Sequence, residues 1–188
     1  VGRDCQILFK YIWQRAMEKR PITASSRPVF LWADEAQNFL HEHDADYQAT
    51  ARSSRIATVY ISQNLPNYYA CMGGQKAEYR VKSFLGTLGT KIFHANADIE
   101  TNKYASELFG DAYFEEESHS VTVSQNFGQT KSKSLKLERM VRAEEFVRLR
   151  TGGPLNNFRV EGYVHRQGDP LLKGLNHTKM VFNQQYCT

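Results

Sequence analysis

Three short apolar runs, separated by stretches of helical character, constrain the fold of this chain most. The runs occupy residues 29–33, 56–62 and 90–95, and each is continuous rather than alternating in polarity. Continuous runs of this length are typical of strands that are covered on both faces, as in parallel sheets. Helical stretches at residues 44–53 and 75–88 lie between the runs. This alternation predicts an α/β fold with a mostly parallel sheet and helices on both of its faces.

An amphipathic helix is predicted at the start of the chain, over residues 5–20. A second helix is predicted after the third apolar run, at residues 98–109, where Asp98 is placed to cap it and Gly110 to end it. The apolar face of the first helix is formed by Ile7, Leu8, Tyr11, Ile12 and Ala16.

The pattern of polar and apolar residues changes after Gly110. Polar and apolar residues alternate at residues 118–125 and 131–141, which predicts a β-hairpin with one exposed face. A short helix at residues 143–149 and a strand at 157–166 follow. The final twenty residues carry no recognisable pattern.

Composition and charge are those of an ordinary globular protein. The 188 residues are 41% hydrophobic and 23% charged, with a net charge of +4 that suits a polyanionic partner without requiring one. No apolar run is long enough to span a bilayer, so we expect a soluble chain. The three cysteines have no metal-ligand spacing, which favours reduced thiols in the cytosol. Because the sequence lacks an initiator methionine and the layout of a signal peptide, we expect it to be a fragment, truncated on its N-terminal side.

Two adjacent carboxylates, Asp34 and Glu35, end the first apolar run. Side chains at the carboxyl end of a parallel strand project into the crevice where such sheets bind ligands. Asp34 would hold the water shell of Mg²⁺, and Glu35 would polarise the water that attacks the γ-phosphate of ATP. The alternative is that one of the acids only caps the following helix.

Polar residues also end the second apolar run. Gln63 is placed to contact the γ-phosphate or the attacking water, although it could simply open a turn before Pro66. Arg52 precedes this strand and is a candidate arginine finger that stabilises phosphate oxygens across a subunit boundary. A solvated surface position remains the alternative for Arg52 and is the favoured interpretation for Arg55.

The phosphate-binding loop that should accompany these residues does not occur in the sequence. No segment matches GxxxxGK[ST], and in the glycine-rich stretch at residues 85–93 the glycines are too close together and Lys91 does not directly follow the second one. The sequence therefore predicts at most half of a nucleotide site.

The order of these segments resembles the C-terminal part of the ATPase domain of the type IV secretion coupling proteins, the TraG- and TraD-like ATPases of conjugation. The similarity covers most of residues 28–165. It runs through "RPVFLWADEAQNFL", "ARSSRIATVYISQNLPNYYA", "SFLGTLGTKIFHANADIETNKYASELFGD" and "LERMVRAEEFVRL". The resemblance implies a RecA-like domain that forms a homo-hexamer at the cytoplasmic face of the bacterial inner membrane. There it would couple ATP hydrolysis to delivery of DNA or protein–DNA cargo into a secretion channel.

The resemblance also assigns roles to individual residues. By position, Asp34 and Glu35 match the Walker B acids, Gln63 matches the glutamine that ends the next strand, and Arg52 falls where an inter-subunit arginine could lie. The region after the helix at 98–109 matches the segment that recognises relaxosome accessory proteins. Partners would therefore be single- or double-stranded DNA and such accessory proteins.

The resemblance further predicts how the chain is organised. Residues 1–112 would be the C-terminal half of a RecA-like nucleotide-binding domain. Residues 113–188 would complete the same domain with a β-hairpin, a short helix and a strand. Without the phosphate loop, the isolated fragment is expected to be inactive as an ATPase, and without the rest of its domain it is expected to be monomeric.

Three alternatives remain open at this stage. "DEAQ" is similar to the acidic motif of DEAD-type helicases, although that family's arginine motif is absent. A DNA-pumping ATPase of the FtsK or HerA type would share the Walker B acids and the glutamine. The third alternative is a domain that binds a secretion partner and hydrolyses nothing.

Overall fold

The protein divides into two compact units. One unit comprises Val1–Lys91 with Arg166–Asp169, and the other comprises Ile92–His165 with Pro170–Thr188. The computed structural model describes residues 2–41, 43–72, 74–122, 128–168 and 174–187, and it describes their side chains except at 117–132 and 186–187.

The described residues of the first unit form two parallel strands and four helices. Its elements are α1 (Gly2–Glu18), β1 (Val29–Ala33), α2 (Asp44–Ala51), β2 (Ile56–Tyr60), α3 (Leu65–Met72) and α4 (Ala77–Thr87). The strands pair in register from Val29 opposite Ile56 to Ala33 opposite Tyr60. The first two apolar runs therefore form the parallel pair that their continuous pattern predicted. The expectation that both faces would be covered is wrong for β1, because Phe30 and Trp32 are 59% and 68% exposed.

The buried face of α1 is polar, which differs from the face that the apolar pattern indicated. Lys10 and Gln14 are buried, whereas Leu8 and Ile12 are each 58% exposed. The reason is a buried carboxylate, Asp44, which accepts hydrogen bonds from both polar side chains. Apolar contacts complete this packing, in a cluster of Tyr47, Ala51 and Ile56 with the partly buried Trp13 and Met17 of α1.

The described residues of the second unit form most of a three-stranded sheet, a β-ribbon and two helices. The boundary between the units falls inside its first strand. The elements are β3 (Thr90–His94), α5 (Ile99–Phe109), β4 (Asp111–Thr122), β5 (Gly128–Arg139), α6 (Ala143–Val147), β6 (Arg159–Arg166) and β7 (His177–Asn183).

The third apolar run does not extend the parallel pair. It forms β3, which belongs to a sheet of order β3–β6–β7 in which β6 and β7 are antiparallel. The α/β class is therefore confirmed, but the described strands form small sheets of mixed direction rather than one mostly parallel sheet. A tight approach explains this pairing, because a Cβ on Gly162 of β6 would lie 3.2 Å from the carbonyl oxygen of Phe93.

The two antiparallel strands of the hairpin predicted after Gly110 are present and longer than expected, while the predicted strand residues 123–125 lie outside the described residues. β4 and β5 pair antiparallel from Asp111 opposite Arg139 to Thr122 opposite Gly128. The core of this unit surrounds Phe109, whose ring stacks on that of His177 with centroids 4.4 Å apart. The buried members of this cluster are Ala105, Phe109, Val141, Phe146, Leu149 and Tyr163.

Within the described residues, none of the helices combines the length and the apolar character that crossing a membrane requires.

Candidate functional site

The carboxyl ends of β1 and β2 meet at one edge of the parallel pair. The ladder continues past both strands, because Ile61 N donates to Ala33 O at 2.9 Å and Ala36 N donates to Ile61 O at 2.9 Å. The segments that follow the two strands are therefore tied together. As a result, Glu35 and Gln63 lie side by side at this edge, which we call the acidic edge.

Glu35 is held in an unusual backbone conformation. Its φ of 50° and ψ of 43° lie in the left-handed region, which a non-glycine residue rarely adopts. This turn directs the chain from β1 into a 3₁₀ turn at Ala36–Asn38. Backbone strain of this kind concentrates at functional sites, where the surrounding structure maintains it.

Two glutamine amides hold the carboxylate of Glu35. Gln63 Nε2 donates to Oε1 at 3.1 Å, and Gln37 Nε2 donates a short hydrogen bond to Oε2. Each carboxylate oxygen has a second lone pair and can still accept a proton or a hydrogen bond from water. The exposed carboxylate is thus oriented without being saturated.

Gln37 is a site residue that the sequence analysis missed. Its side chain is buried, and its Oε1 accepts a hydrogen bond from Ser62 Oγ at 2.8 Å. Gln37 therefore bridges Glu35 and the end of β2. Its place two residues after Glu35, in a segment that already carried the acids, was the available signal.

Asp34 presents a carboxylate whose Oδ2 has no hydrogen-bond partner among the described residues. Its Oδ1 accepts from Glu35 N at 2.9 Å, and the side chain is exposed. No group of three or more acids, histidines and cysteines that could bind a metal ion occurs in the described part of the chain. A single carboxylate fits Mg²⁺, since this ion retains several waters and takes its remaining ligands from phosphates.

Arg52 lies away from the acidic edge. It follows α2 and precedes β2, so it is at the opposite end of β2 from Gln63. Five residues of strand separate the two positions by about 16 Å at the rise of an extended chain. The exposed Arg52 guanidinium makes no hydrogen bond or ion pair with a described residue. Within one chain, Arg52 is therefore not brought together with Asp34, Glu35 and Gln63.

Arg55 is exposed, as expected, and it also has a structural role. Its φ is 52°, and its Nη1 donates to Ala24 O at 3.1 Å and to Ser26 O at 2.6 Å. These bonds fix the loop that leads into β1.

A buried polar network supports the loop that follows the acidic edge. Asp44 Oδ1 accepts from Gln14 Nε2 at 2.9 Å, and Oδ2 accepts from His41 N at 2.7 Å and forms a short ion pair with Lys10. Lys10 Nζ also donates to Phe39 O at 2.6 Å, directly after the 3₁₀ turn. Burial lowers the pKa of Lys10, and the charge of Asp44 opposes that shift.

The same network reaches β2. Tyr60 Oη donates to Asp44 Oδ1 at 3.5 Å and accepts from Gln48 Nε2 at 2.9 Å. Burial raises the pKa of Tyr60 well above its ordinary value, and the charge of Asp44 adds to this shift. The sequence signal for the network was the i, i+4 spacing of Lys10 and Gln14, which places both polar side chains on one face of α1.

The β-ribbon exposes three large apolar side chains on one face. Tyr113 lies opposite Leu137, and Leu135 is two positions further along β5, so all three share this face. They are 71%, 56% and 68% exposed, respectively. An ion pair between Arg139 Nη1 and Asp111 Oδ1, at 3.1 Å, lies at one end. We call this surface the ribbon stripe.

Comparisons with known proteins place these features in context. A family model described as the TraM recognition site of TraD and TraG matches residues 28–151, about two thirds of the chain. No curated protein is a match. The structure is similar to that of the bacterial conjugative coupling protein TrwBdeltaN70 in its unbound monoclinic form, with a TM-score of 0.63 and 17% identity.

The structural match covers most of this chain but only part of the solved protein. It covers 90% of this chain and 34% of the solved one, so this chain spans about a third of that protein's length. At this identity, the likeness shows the fold alone.

Proposed function

The chain belongs to the TraD and TraG family of conjugative coupling proteins, and on that premise we propose that it carries the acidic half of the ATP-hydrolysing site of a conjugative motor. The observation that carries the proposal is the hydrogen bond from Gln63 Nε2 to Glu35 Oε1, at 3.1 Å. It joins two polar residues at the carboxyl ends of neighbouring parallel strands, where sheets of this kind bind ligands. In the proposed whole protein, these strands belong to a RecA-like nucleotide-binding domain.

Each residue of the acidic edge has its own role in the proposed hydrolysis of ATP. Asp34 would hold Mg²⁺ through water with its free oxygen, and the ion would neutralise charge on the phosphates of ATP. Glu35 accepts the proton of the attacking water. Gln37 fixes the carboxylate of Glu35 from the buried side. Gln63 fixes it from the exposed side and is free to exchange that bond for one to the water or the γ-phosphate.

The proposed motor is a homo-hexamer in which Arg52 acts on a neighbouring subunit's nucleotide. Its separation from the acidic edge and its uncommitted guanidinium support a role in trans. Mixing Arg52→Ala subunits with Glu35→Gln subunits of the intact protein should then restore part of the turnover that each variant loses. Absence of any rescue would assign Arg52 to the surface.

The cargo of the proposed motor is DNA or a protein–DNA complex, delivered from the cytoplasmic face of the inner membrane. We assign the docking of a relaxosome accessory protein to the ribbon stripe. The matched family segment includes both ribbon strands, and exposed apolar patches on a soluble surface mark interaction sites. The double variant Leu135→Ser, Leu137→Ser should lose capture by the accessory protein of the same transfer system. Tyr79→Ser, which alters a residue 75% exposed on the other unit, should retain capture.

Glu35→Gln in the intact protein tests the hydrolytic site. The amide keeps the size of the side chain and removes its basicity. We expect ATP binding to persist and turnover to fall by a factor of about 10² or more, the usual contribution of a general base. Asp46→Asn is the matched control, since it neutralises an exposed carboxylate of α2 away from the acidic edge. Undiminished turnover in Glu35→Gln would contradict the proposed role of Glu35.

A further inference from the structure

Three exposed arginines flank a turn in the second unit. Arg148 directly follows α6, Arg150 comes two residues later, and Arg159 begins β6. Among the described residues, none forms a hydrogen bond or an ion pair with these guanidinium groups. Exposed arginines on this chain often have acidic partners, as Arg139 and Arg142 do. This cluster of unpaired positive charge is therefore a distinct feature of the surface, which we call the arginine turn.

The backbone places two of the three arginines on one face. Thr151 bridges Val160 in antiparallel fashion, and Glu161 N donates to Arg150 O at 2.9 Å. The residues on either side of such a bridge point to the opposite face of the ladder. Arg150 and Arg159 thus share a face as diagonal neighbours, with backbones about 7–8 Å apart.

One acid, Glu161, lies directly opposite Arg150 on this face, and it already has a lysine partner. Glu161 Oε2 accepts from Arg150 N at 3.0 Å, and its Oε1 pairs with Lys179 Nζ at 3.1 Å. These bonds lower the pKa of Glu161, the backbone N–H of Arg150 having the largest effect. The charge of Arg150 also attracts this carboxylate, but one acid among Arg150, Arg159 and Lys179 leaves the face with a net positive charge.

The loop between the arginines has a fixed shape. Gly153 N donates to Gln184 Oε1 at 3.0 Å, and Phe158 N donates to Gly153 O at 2.8 Å. The φ angles of Gly152 and Gly153 are 85° and 73°, so glycine is required to form the turn. At the apex, Leu155 is 99% exposed. The turn therefore presents one apolar side chain and its flanking arginines without further ordering.

We propose that the arginine turn is a binding site for single-stranded nucleic acid, in which Arg148, Arg150 and Arg159 contact backbone phosphates and Leu155 contacts an unstacked base. A nucleic-acid strand carries one phosphate charge per nucleotide. Neighbouring phosphates of one strand can therefore pair with several closely spaced guanidinium groups at once. The planar guanidinium matches the oxygens of a phosphate with two parallel hydrogen bonds. An apolar side chain at the apex suits a strand whose bases are exposed rather than paired.

The proposal rests on the proposed function only in identifying the cargo as DNA. It requires neither ATP nor the acidic edge. Binding is therefore measured without nucleotide, in the intact protein, by fluorescence anisotropy with labelled oligothymidylate over a series of salt concentrations. Glu35→Gln should bind this probe normally, so failure of the hydrolytic proposal and failure of this one give different results.

The test compares two triple variants that each remove three positive charges. One replaces the arginine turn by Arg148→Ala, Arg150→Ala and Arg159→Ala. The other replaces exposed cations of the first unit by Lys19→Ala, Arg27→Ala and Lys76→Ala. For the arginine-turn variant, the slope of log Kd against log salt should fall by about 2, at about 0.7 for each lost phosphate contact on a single strand. Its Kd at low salt should rise about tenfold or more. The control should change neither quantity.

A further variant separates the base contact from the phosphate contacts. Leu155→Ala should weaken oligothymidylate binding and leave the salt slope unchanged, since it removes no charge. Urea unfolding of every variant checks that the fold is retained.

Two results would overturn the proposal. If the two triple variants lose equal affinity for oligothymidylate, binding depends on the net charge of the protein and not on the arginine turn. If the arginine-turn variant loses binding to polyglutamate but still binds oligothymidylate, the partner of the turn is an acidic protein instead.

Discussion

Gln63 and Glu35 are 28 positions apart in the chain, yet an amide N–H of Gln63 donates to the carboxylate of Glu35 at 3.1 Å. The bond exists because β1 and β2 are parallel and in register, so that both strands end at the same level. Gln37 holds the other oxygen of the same carboxylate from a buried position. Gln63 is exposed, and its bond is therefore the one that an incoming ligand can replace.

Removal of this amide should affect turnover more than nucleotide binding. In the intact protein, we expect Gln63→Ala to lower the rate of ATP hydrolysis by a factor of about 10², because an unoriented base loses most of its advantage. The Kd for ATP should change little. Asn38→Ala, which removes an exposed amide from the nearby 3₁₀ turn, is the control for both measurements. A normal rate in Gln63→Ala would show that Gln37 alone orients Glu35.

The buried ion pair of Lys10 and Asp44 should dominate the stability of the first unit. Asp44→Ala leaves an ammonium group buried without its partner, and we expect the free energy of unfolding in urea to fall by about 3–5 kcal/mol. Asp46→Ala removes a carboxylate from the same helical turn, but its side chain is 88% exposed, so it should cost about 0.5 kcal/mol or less. The double variant Lys10→Met, Asp44→Leu should lose less than Asp44→Ala alone. A larger loss in the double variant would mean that the pair itself is strongly stabilising.

The stability of the second unit should fall in mild acid because of His177. Burial lowers the pKa of this imidazole below its ordinary value of 6.5, so the folded state favours the neutral ring. The unfolded chain takes up the proton as the pH falls below about 6.5, while the folded chain does so only at lower pH. This contribution to stability is thus complete above pH 6.5 and is lost as the pH falls through the folded pKa.

Urea midpoints measured at successive pH values would test this expectation. His177→Phe, which keeps a ring against Phe109, should reduce the pH dependence. His43→Gln, at an exposed histidine, should leave it unchanged. The same dependence in all three proteins would exclude His177 as its source.

Two glycines should respond to alanine in opposite directions. Gly86 lies in α4 with nothing within 4 Å of an added Cβ, so Gly86→Ala should raise the free energy of unfolding by about 0.5–1 kcal/mol. Gly152 has a φ of 85°, and its Cβ would lie 2.7 Å from Val160 Cγ2. Gly152→Ala should therefore lower the free energy of unfolding by about 1–2 kcal/mol or more. Gly153 has a positive φ but open space around an added Cβ. The free energy of unfolding of Gly153→Ala in urea should therefore lie between those of the other two variants.

Local pattern was sufficient for β1, β2 and the helix α5. The continuous runs gave the strands, and Asp98 caps α5 as expected, its carboxylate accepting from Thr101 N at 2.8 Å. The positions of Asp34, Glu35 and Gln63 at one edge followed from the parallel pairing. Their roles in catalysis stay predictions.

Two features of the fold depend on residues that are distant in the sequence and could not be predicted from local pattern. The buried face of α1 depends on Asp44, 34 positions after Lys10, and no periodicity within α1 contains that information. The neighbour of β3 depends on Gly162, which lets β6 approach closely. A strand's own residues identify it as a strand, but they do not identify the strand beside it, nor how far it is buried, since Trp32 of β1 is 68% exposed.

Helix α3 was missed although its signal was present. Pro66 suggested a turn, yet proline is favoured in the first turn of a helix, where its missing N–H is not needed. Asn64 supplies the cap, since its Oδ1 accepts from Asn67 N at 2.9 Å. The strand β7 offered no comparable signal.

The length of the β-ribbon has a practical consequence for mapping contacts. Each of its strands has twelve residues, which gives the ribbon a reach of about 37 Å at the rise of an extended chain. A partner held near its far end would be out of range of a short cross-linker placed at Asp111 or Arg139. Probes spaced along the whole ribbon are therefore needed to locate a bound protein on it.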